Sequence, residues 1–259
     1  MTATSIRLLV DEPLAGARNM AIDEAIMESG RRGLITLRLY RWQPGCLSFG
    51  RNQTALGRYD GDRAADLGYD VVRRPTGGRS VLHHHELTYS VTAPVSWGSL
   101  RDAYVRINRA LAAGLRRLGV DAVVHESTAG PIPRPTVRAC FRDPLPGEVT
   151  VTGRKLVGSA QWRDTDALLQ HGSILIRNEQ HLVEDLRIGV HPSVAIPAVG
   201  LAELLGAVPE AAELEQALAA GFEREFDMAV ESGELTAFEM DRAETRLEAY
   251  QDPAWTWRR

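Results

Sequence analysis

The sequence predicts an α+β fold in which a mixed β-sheet is flanked by α-helices, and three patterns support this prediction. Residues 34–42 alternate apolar and polar side chains, which is the period of a half-buried strand. From Val71 onward, two extended stretches are separated by a turn rich in glycine and proline. Residues 99–118 carry apolar side chains at helical spacing, behind a Ser99 that is a typical helix N-cap.

The other elements follow in chain order. Residues 19–29 are apolar mostly on one helical face, so we expect a first helix with Asn19 as its N-cap. The stretch at 46–50 is expected to pair with the strand at 34–42 across a short turn. We then expect a hairpin turning at Thr152–Gly153, a strand over 168–176, and C-terminal helices of which the last begins at Thr236.

Length and composition predict one domain covering residues 1–259, because the chain is 44% hydrophobic and shows no repeat or linker. Thirty basic against 34 acidic residues give a net charge of -4, which argues against a nucleic-acid or membrane-surface binder. No uncharged apolar run approaches the roughly 20 residues of a membrane span. With only two cysteines, we expect free thiols and a cytoplasmic location.

Cys140 lies in a long proline-rich stretch, residues 128–148, where loops of this length are more often functional than idle. Three arginines lie within six residues of it, and positive charge lowers a thiol pKa. The sequence therefore makes Cys140 a candidate nucleophile, with an inert buried thiol as the alternative. Cys46 lies in an apolar alternating stretch, and for that residue we expect the inert alternative.

The turn "RRPTGGR" is a candidate ligand site. Adjacent Gly77 and Gly78 would let a ligand approach the main chain, while Arg73 and Arg74 are candidates to meet an anionic or carbonyl group. A plain hairpin turn with solvated arginines explains the same residues equally well. The stretch is not a phosphate-binding P-loop, because the lysine and hydroxyl that should follow the second glycine are missing.

The three histidines after this turn are candidate metal ligands, but too few other ligands lie near them in the sequence. On an unbroken strand His83 and His85 would share a face, but zinc needs three or four ligands. Only Glu86, on the opposite face, is close in sequence. We therefore expect no metal and give His83 a hydrogen-bonding or pocket-lining role.

Lys155 lies on the outgoing arm of the hairpin, followed by three small residues, Gly158, Ser159 and Ala160. Small residues leave room for a ligand chain, so Lys155 is a candidate to polarise a carbonyl or hold a thiolate. A solvated lysine that protects an edge strand is the structural alternative.

In this order the stretches resemble the lipoate-protein ligase A family, which includes biotin protein ligases and octanoyltransferases. The resemblance covers nearly the whole chain, and it is carried by "NMAIDEAI", "LYRWQPGCLSFGRNQ", "RRPTGGRSVLHHHELTYSV", "ACF", "GRKLVGSAQWR", "LLQHGSILI" and "WTWRR". It implies a biotin/lipoate protein ligase-like catalytic fold. "GGR", together with "ACF" ahead of "GRKLVGSAQ", looks like the cysteine-type octanoyltransferases within the family.

That resemblance implies transfer of octanoyl from octanoyl-acyl carrier protein to a lysine of a lipoyl-domain protein, such as the H protein of glycine cleavage. No ATP or other cofactor would be needed. An ATP-dependent lipoate-protein ligase, which would use ATP and Mg²⁺, and a lipoyl amidotransferase acting between lipoyl proteins remain alternatives. A non-catalytic acyl-binding protein on the same fold is a third.

For the octanoyltransferase, the matching residues imply a division of labour. Cys140 would carry the acyl group and Lys155 would keep the thiolate charged. Backbone N–H groups at Gly158, Ser159 and Ala160 would stabilise the oxyanion, and Gly77 and Gly78 would let the acyl chain pass close to the main chain. His83 and His171 would line the acyl slot or orient its carbonyl end, and Gly172 is a further candidate substrate-binding residue. Arginines on or near the 99–118 helix are candidates to meet the acidic carrier protein, with a solvated helix face as the alternative; they are Arg101, Arg106, Arg109, Arg116 and Arg117. The family's usual His-Asp pair is His83-His84 here.

Overall fold

The computed structural model describes residues 4–125, 141, 145–189 and 197–258. Its strands are β1 (Ser5–Val10), β2 (Thr36–Tyr40), β3 (Cys46–Phe49), β4 (Asp70–Arg73), β5 (Val81–His83), β6 (Glu86–Pro94), β7 (Val123–Val124), β8 (Val149–Val151), β9 (Arg154–Lys155), β10 (Val157–Arg163), β11 (Ala167–Leu175) and β12 (Ala229–Ser232). Its helices are α1 (Gly16–Gly30), α2 (Gly61–Asp66), α3 (Leu100–Arg117), α4 (Leu182–Asp185), α5 (Leu201–Leu205), α6 (Ala211–Phe226), α7 (Ala237–Gln251) and α8 (Pro253–Thr256).

The described strands form one six-stranded sheet and two three-stranded sheets. The large sheet has the order β10-β11-β6-β2-β1-β12, with β1 parallel to both its neighbours and the other pairs antiparallel. The small sheets have the orders β4-β3-β5 and β7-β8-β9. The sheet is therefore mixed and flanked by helices, as the sequence predicts.

Helices cover both faces of the large sheet. On one face, Leu37 and Leu39 of β2 join the apolar core built with α3 and α6. On the other face, Tyr40 packs in a second core with α1 and Ala243 of α7. The expectation that this strand is half-buried was wrong, because both of its faces are covered.

The full burial of β2 requires its charged side chain to be paired. The Arg38 guanidinium, which is inaccessible to solvent, donates to Asp11 at 2.7 Å and to Asp23 at 2.8 Å. A buried charge without such partners would be strongly destabilising. The ion pairs therefore allow an arginine in the middle of the sheet.

Two local expectations were wrong for reasons of tertiary structure. Strand β3 does not pair with β2, because β1 and β6 already occupy both edges of β2; it pairs with β4 and β5 instead. Helix α1 begins at Gly16, whose N–H donates to the Asp70 carboxylate at 2.9 Å. Asn19 lies inside the helix, and its side-chain amide donates to the Leu14 and Arg41 carbonyls.

Where local signals are strong, the expectations are confirmed. Ser99 Oγ accepts from the Asp102 N–H at the start of α3. The hairpin between β8 and β9 turns at Thr152 and Gly153, with φ angles of 49° and 77°. Thr236 caps α7 through a capping box. Among the helices of the described part of the chain, none is long and apolar enough to cross a membrane.

Candidate active site

A cleft opens at the end of the large sheet where β10 and β11 meet the β4-β3-β5 sheet. Its interior volume is about 20 Å³, room for about one water molecule, so the cleft is narrow in this structure. Seven predicted site residues line it: Arg74, His83, Gly158, Ser159, Ala160, His171 and Gly172. Sequence segments up to about a hundred residues apart thus converge on one site, although ligand contacts at these residues stay a prediction.

The floor of the cleft comes from the paired strands β10 and β11. Ser159 lies opposite Gly172, and Ala160 lies opposite His171. The Ser159 hydroxyl donates to Asn108 Oδ1 at 3.2 Å, which ties the floor to α3. Strand β10 is an edge of the large sheet, so alternate N–H groups along it point away from β11.

Lys155 is buried beside this floor. Its Nζ donates to Glu148 Oε1 at 2.6 Å, and both side chains are 1% exposed. The Glu148 Oε2 atom accepts from the Leu145 N–H at 2.7 Å. Burial raises the pKa of Glu148, and the nearby Lys155 ammonium only partly offsets that effect. The alternative of a solvated lysine on an edge strand is therefore wrong.

Cys140 lies outside the described residues, but its neighbour Phe141 is placed. The Phe141 ring is fully buried, and Lys155 Nζ lies 5.1 Å from its centroid. A methyl group on Gly158 would come within 2.8 Å of the ring, so only glycine permits this packing. Phe141 is therefore placed beside Lys155 and Gly158, and Cys140 is the residue before it in the sequence.

His171 is held by hydrogen bonds on both ring nitrogens. Its Nδ1 lies 2.9 Å from the Asp23 carboxylate, and its Nε2 lies 2.6 Å from the Thr76 hydroxyl. Asp23 also accepts from Arg38 and Tyr40. Burial alone would raise the pKa of Asp23, but the His171 hydrogen bond and the Arg38 charge outweigh it and hold the pKa below its usual value.

His83 is a rigid, uncharged wall of the cleft. Its ring stacks on Trp42 with 4.1 Å between centroids, and its nitrogens lie 2.8 Å from Ser48 Oγ and 3.1 Å from Ser173 Oγ. Burial lowers the pKa of His83, although Glu86 partly offsets the effect. The imidazole is therefore suited to lining a pocket, as expected from the sequence.

The two arginines before the glycine turn donate hydrogen bonds to main-chain carbonyl groups. Arg73 is fully buried and donates to carbonyls that include those of Gly50 at 2.6 Å and Gln53 at 2.8 Å. Arg74 donates to the carbonyls of Gly77 at 2.9 Å and Arg79 at 2.6 Å, so it fixes the turn itself. These contacts favour structural roles over the predicted contact with an anion.

The glycine turn lies against the strand end at Gly50. Gly78 has a φ of 91°, a left-handed conformation that favours glycine. A methyl group on Gly50 would lie 2.1 Å from the Gly78 carbonyl oxygen, so the two segments are in direct contact. Gly77, in contrast, has open space around it. Neither Gly77 nor Gly78 is among the residues lining the cleft.

Cys46 is a core residue in this structure. Its side chain is fully buried in the core beside α1. Burial raises the pKa of the Cys46 thiol well above its usual value, and the negative charge of Asp70 adds to the effect. The expected burial of Cys46 is therefore confirmed, and its low reactivity stays a prediction.

Sequence reasoning did not single out Glu148 and Asp23, which hold Lys155 and His171. For Glu148 a signal existed, because the predicted turn puts Thr150 opposite Lys155 and Glu148 diagonally next to it on the same face. For Asp23 no local signal existed, since His171 lies 148 residues away.

Residues 15–223 match the lipoyl protein ligase A/B catalytic domain. The octanoyltransferase LipM of Kyrpidia tusciae is 40% identical over 270 residues, covering 98% of each chain. That of Staphylococcus aureus is 32% identical, covering 93% of this chain and 94% of the relative.

Solved structures share the fold. A lipoate-protein ligase A bound with ATP superposes with a TM-score of 0.81 at 23% identity, covering 98% of each chain. The bipartite lipoate protein ligase of Thermoplasma acidophilum gives a TM-score of 0.79 at 22% identity, covering 98% of this chain and 97% of the ligase. With the matched domain and the full-length relatives, these findings show that the chain belongs to the lipoyl protein ligase A/B catalytic domain family.

Proposed function

We propose that this protein is an octanoyltransferase of protein lipoylation, which moves an octanoyl group onto a lysine of a lipoyl-domain protein through a Cys140 thioester. Relatives of nearly full length that bear the name octanoyltransferase support the reaction. The observation that carries the mechanism is the packing of Phe141 against Lys155 and Gly158. That packing brings the residue after Cys140 to the ammonium group that a thiolate requires.

In the first step, the Cys140 thiolate attacks the carbonyl carbon of an octanoyl thioester carried by an acyl carrier protein. A new carbon–sulfur bond forms, the donor's carbon–sulfur bond breaks, and the donor sulfur leaves as a thiolate that takes a proton from water. The donor is already activated, so the proposal requires no ATP, metal or other cofactor.

In the second step, the neutral amine of the acceptor lysine attacks the same carbonyl carbon. The amide carbon–nitrogen bond forms as the bond to Cys140 Sγ breaks, and the amine releases its proton to water. Cys140 returns as a thiolate, ready for another donor. The acceptor is a lipoyl-domain protein, such as the H protein of glycine cleavage.

Two features of the described residues suit this chemistry. The Lys155 ammonium offers a positive charge beside Phe141, and Glu148 orients it through a hydrogen bond of 2.6 Å. The outward N–H groups of β10, near Ser159, are donors for the oxyanion of each tetrahedral intermediate. Removing one such donor typically slows acyl transfer by about 100- to 1,000-fold.

The acidic donor would approach the arginines of α3. Arg101, Arg109 and Arg117 are exposed, whereas Arg106 faces Glu225 at 3.8 Å. Opposite charges speed diffusional encounter, and salt screens that attraction. We expect the rate of acylation by the carrier-bound donor to decrease as the salt concentration increases. A rate that does not depend on salt concentration would refute this docking surface.

The first experiment is intact-mass spectrometry of the protein mixed with octanoyl-acyl carrier protein without ATP. We expect an octanoyl adduct that hydroxylamine removes, absent from Cys140→Ser and present in Cys46→Ala, the matched control. Adding a lipoyl-domain protein should discharge the adduct and acylate one acceptor lysine.

Three other results would redirect the proposal. If the protein forms no adduct and acylates the acceptor only when ATP and free octanoate are supplied, it is an ATP-dependent ligase. An adduct that forms only with an octanoylated lipoyl protein as the donor, and not with the carrier protein, would indicate an amidotransferase. Octanoyl binding without turnover, equal in wild type and Cys140→Ser, would leave only a binding protein.

A further inference from the structure

A cluster outside the cleft joins two histidines to a glutamate. His84 and His85 lie in the bend between β5 and β6, and both place Nδ1 against one Glu179 carboxylate oxygen, at 2.7 Å and 2.8 Å. The three side chains are 38%, 47% and 27% exposed. No step of the proposed reaction uses them.

Main-chain contacts hold this cluster in place. The His85 carbonyl accepts from the N–H groups of Ile176 and Arg177, so the bend is bound to the segment that leads to Glu179. The buried Gln180 side chain then accepts from the Leu82 N–H and donates to the Leu82 carbonyl, at 3.2 Å and 2.7 Å. Both sides of the cluster are thus fixed before any ligand arrives.

The bend also separates the roles of neighbouring histidines. His83 is the last residue of β5 and is buried in the cleft, whereas His84 and His85 are accessible to solvent. Their rings lie 4.0 Å apart, and His84 contacts the edge of the Tyr69 ring. The pair that reaches a carboxylate is therefore His84 with His85, and not His83 with His85, the pair that an unbroken strand would put on one face.

We propose that His84, His85 and Glu179 form a binding site for one divalent transition-metal ion of the zinc class. One candidate ligand atom from each residue lies within 4.8 Å of the others. Two imidazole nitrogens and one carboxylate oxygen are ligands that zinc prefers. Their partial exposure leaves the fourth position to water.

The adjustment that binding requires is small. At metal–ligand distances of about 2.0–2.1 Å, tetrahedral geometry puts ligand atoms about 3.3 Å apart. The present nitrogen-to-oxygen distances of 2.7 Å and 2.8 Å would therefore widen by about half an ångström each. Half-exposed side chains can make that movement without displacing the main chain.

The test is calorimetric titration of the tag-free, full-length Cys140→Ser variant with ZnCl₂, since that substitution removes a competing thiolate. We expect one ion per chain. His84→Ala, His85→Ala and Glu179→Gln should each raise the Kd by more than about tenfold, as loss of a ligand does more than loss of an outer partner. His181→Ala, at an exposed histidine two residues from Glu179, should leave the Kd unchanged.

Thermal unfolding of the same samples shows that the variants fold and gives a second readout. Zinc should raise the Tm of the parent and of His181→Ala but not of Glu179→Gln. Absence of bound zinc in the parent would overturn the proposal. Equal Kd values in the parent and the three ligand variants would overturn it as well, and the cluster would then be only a hydrogen-bonded carboxylate.

Discussion

Gly158→Ala tests whether Phe141 positions the nucleophile. Gly158 lies in β10 on the floor of the cleft. An added methyl group would lie 2.8 Å and 3.0 Å from two atoms of the Phe141 ring and 3.3 Å from Lys155 Cε. Carbon atoms pack best at about 3.5–4.0 Å. The ring, which is fully buried, must therefore move.

The size of the effect follows from that overlap. Forcing an extra methyl into a packed core costs about 1–3 kcal/mol of unfolding free energy. Cys140 is the residue before Phe141, so under the proposed function we expect a shift of Phe141 to move the nucleophile relative to Lys155. A misplacement of about 1 Å slows a reaction by about 100-fold. We therefore predict modest destabilisation with a much larger loss of acyl-enzyme formation.

The assay is the initial rate of octanoyl adduct formation by intact mass, with urea unfolding on the same samples. Gly30→Ala is the matched control, because its added methyl would meet neighbours at 3.4–3.5 Å, an ordinary contact. That control should acylate at the wild-type rate.

A second substitution separates steric displacement from other causes. Phe141→Leu shortens the side chain that the new methyl contacts, so Gly158→Ala/Phe141→Leu should acylate faster than Gly158→Ala alone. This non-additivity is what directly contacting residues show. Wild-type acylation by Gly158→Ala, or a double variant no faster than the single one, would refute the role given to Phe141.

Three further predictions concern buried charge and protonation. Lys155→Met should lower the unfolding free energy, measured with urea, by about 3–5 kcal/mol, because Glu148 loses its buried partner. Adding Glu148→Gln should restore part of that free energy, and an unchanged unfolding free energy in Lys155→Met would contradict the pairing. Under native conditions iodoacetamide should modify Cys140 and spare the buried Cys46, as peptide mapping would show; labelling of Cys46 at an equal rate would refute its burial. Because the folded-state pKa of His83 lies below the usual 6.5, the unfolded chain binds more protons below that pH, and the unfolding free energy should decrease as the pH is lowered through about 6.5; His83→Gln should flatten that loss in urea titrations.

The elements that the sequence predicts well are those specified by neighbouring residues. The cap of α3 at Ser99, the turn at Thr152–Gly153 and the capping box at Thr236 each depend on groups within three residues. Their geometry is local, so the pattern is sufficient. The same holds for the buried Cys46, whose apolar surroundings are visible in the sequence.

Contacts between distant segments limit the prediction. Strand β3 has the right composition for pairing with β2, but the edges of β2 are occupied by strands from other parts of the chain. Glu179 reaches His84 and His85 from about 95 residues away, so the histidine run alone gave no third ligand. Lys155 is buried because the segments around Glu148 and Phe141 cover it, which no period in the hairpin indicates.

The shared fold does not by itself select the reaction. A lipoate-protein ligase bound with ATP superposes on this chain at 23% identity. The same fold is therefore found in a protein named as a ligase, and the fold alone does not identify the reaction. What would distinguish acyl transfer from ligation is a nucleophile next to Lys155. In the proposed function Phe141, which lies beside Lys155, would bring it there. Phe141 packs on Gly158, which belongs to the sheet. The sheet therefore contributes to the proposed chemistry by giving Phe141, the residue after Cys140, a surface to pack on, and a single methyl group at Gly158 is enough to test that contribution.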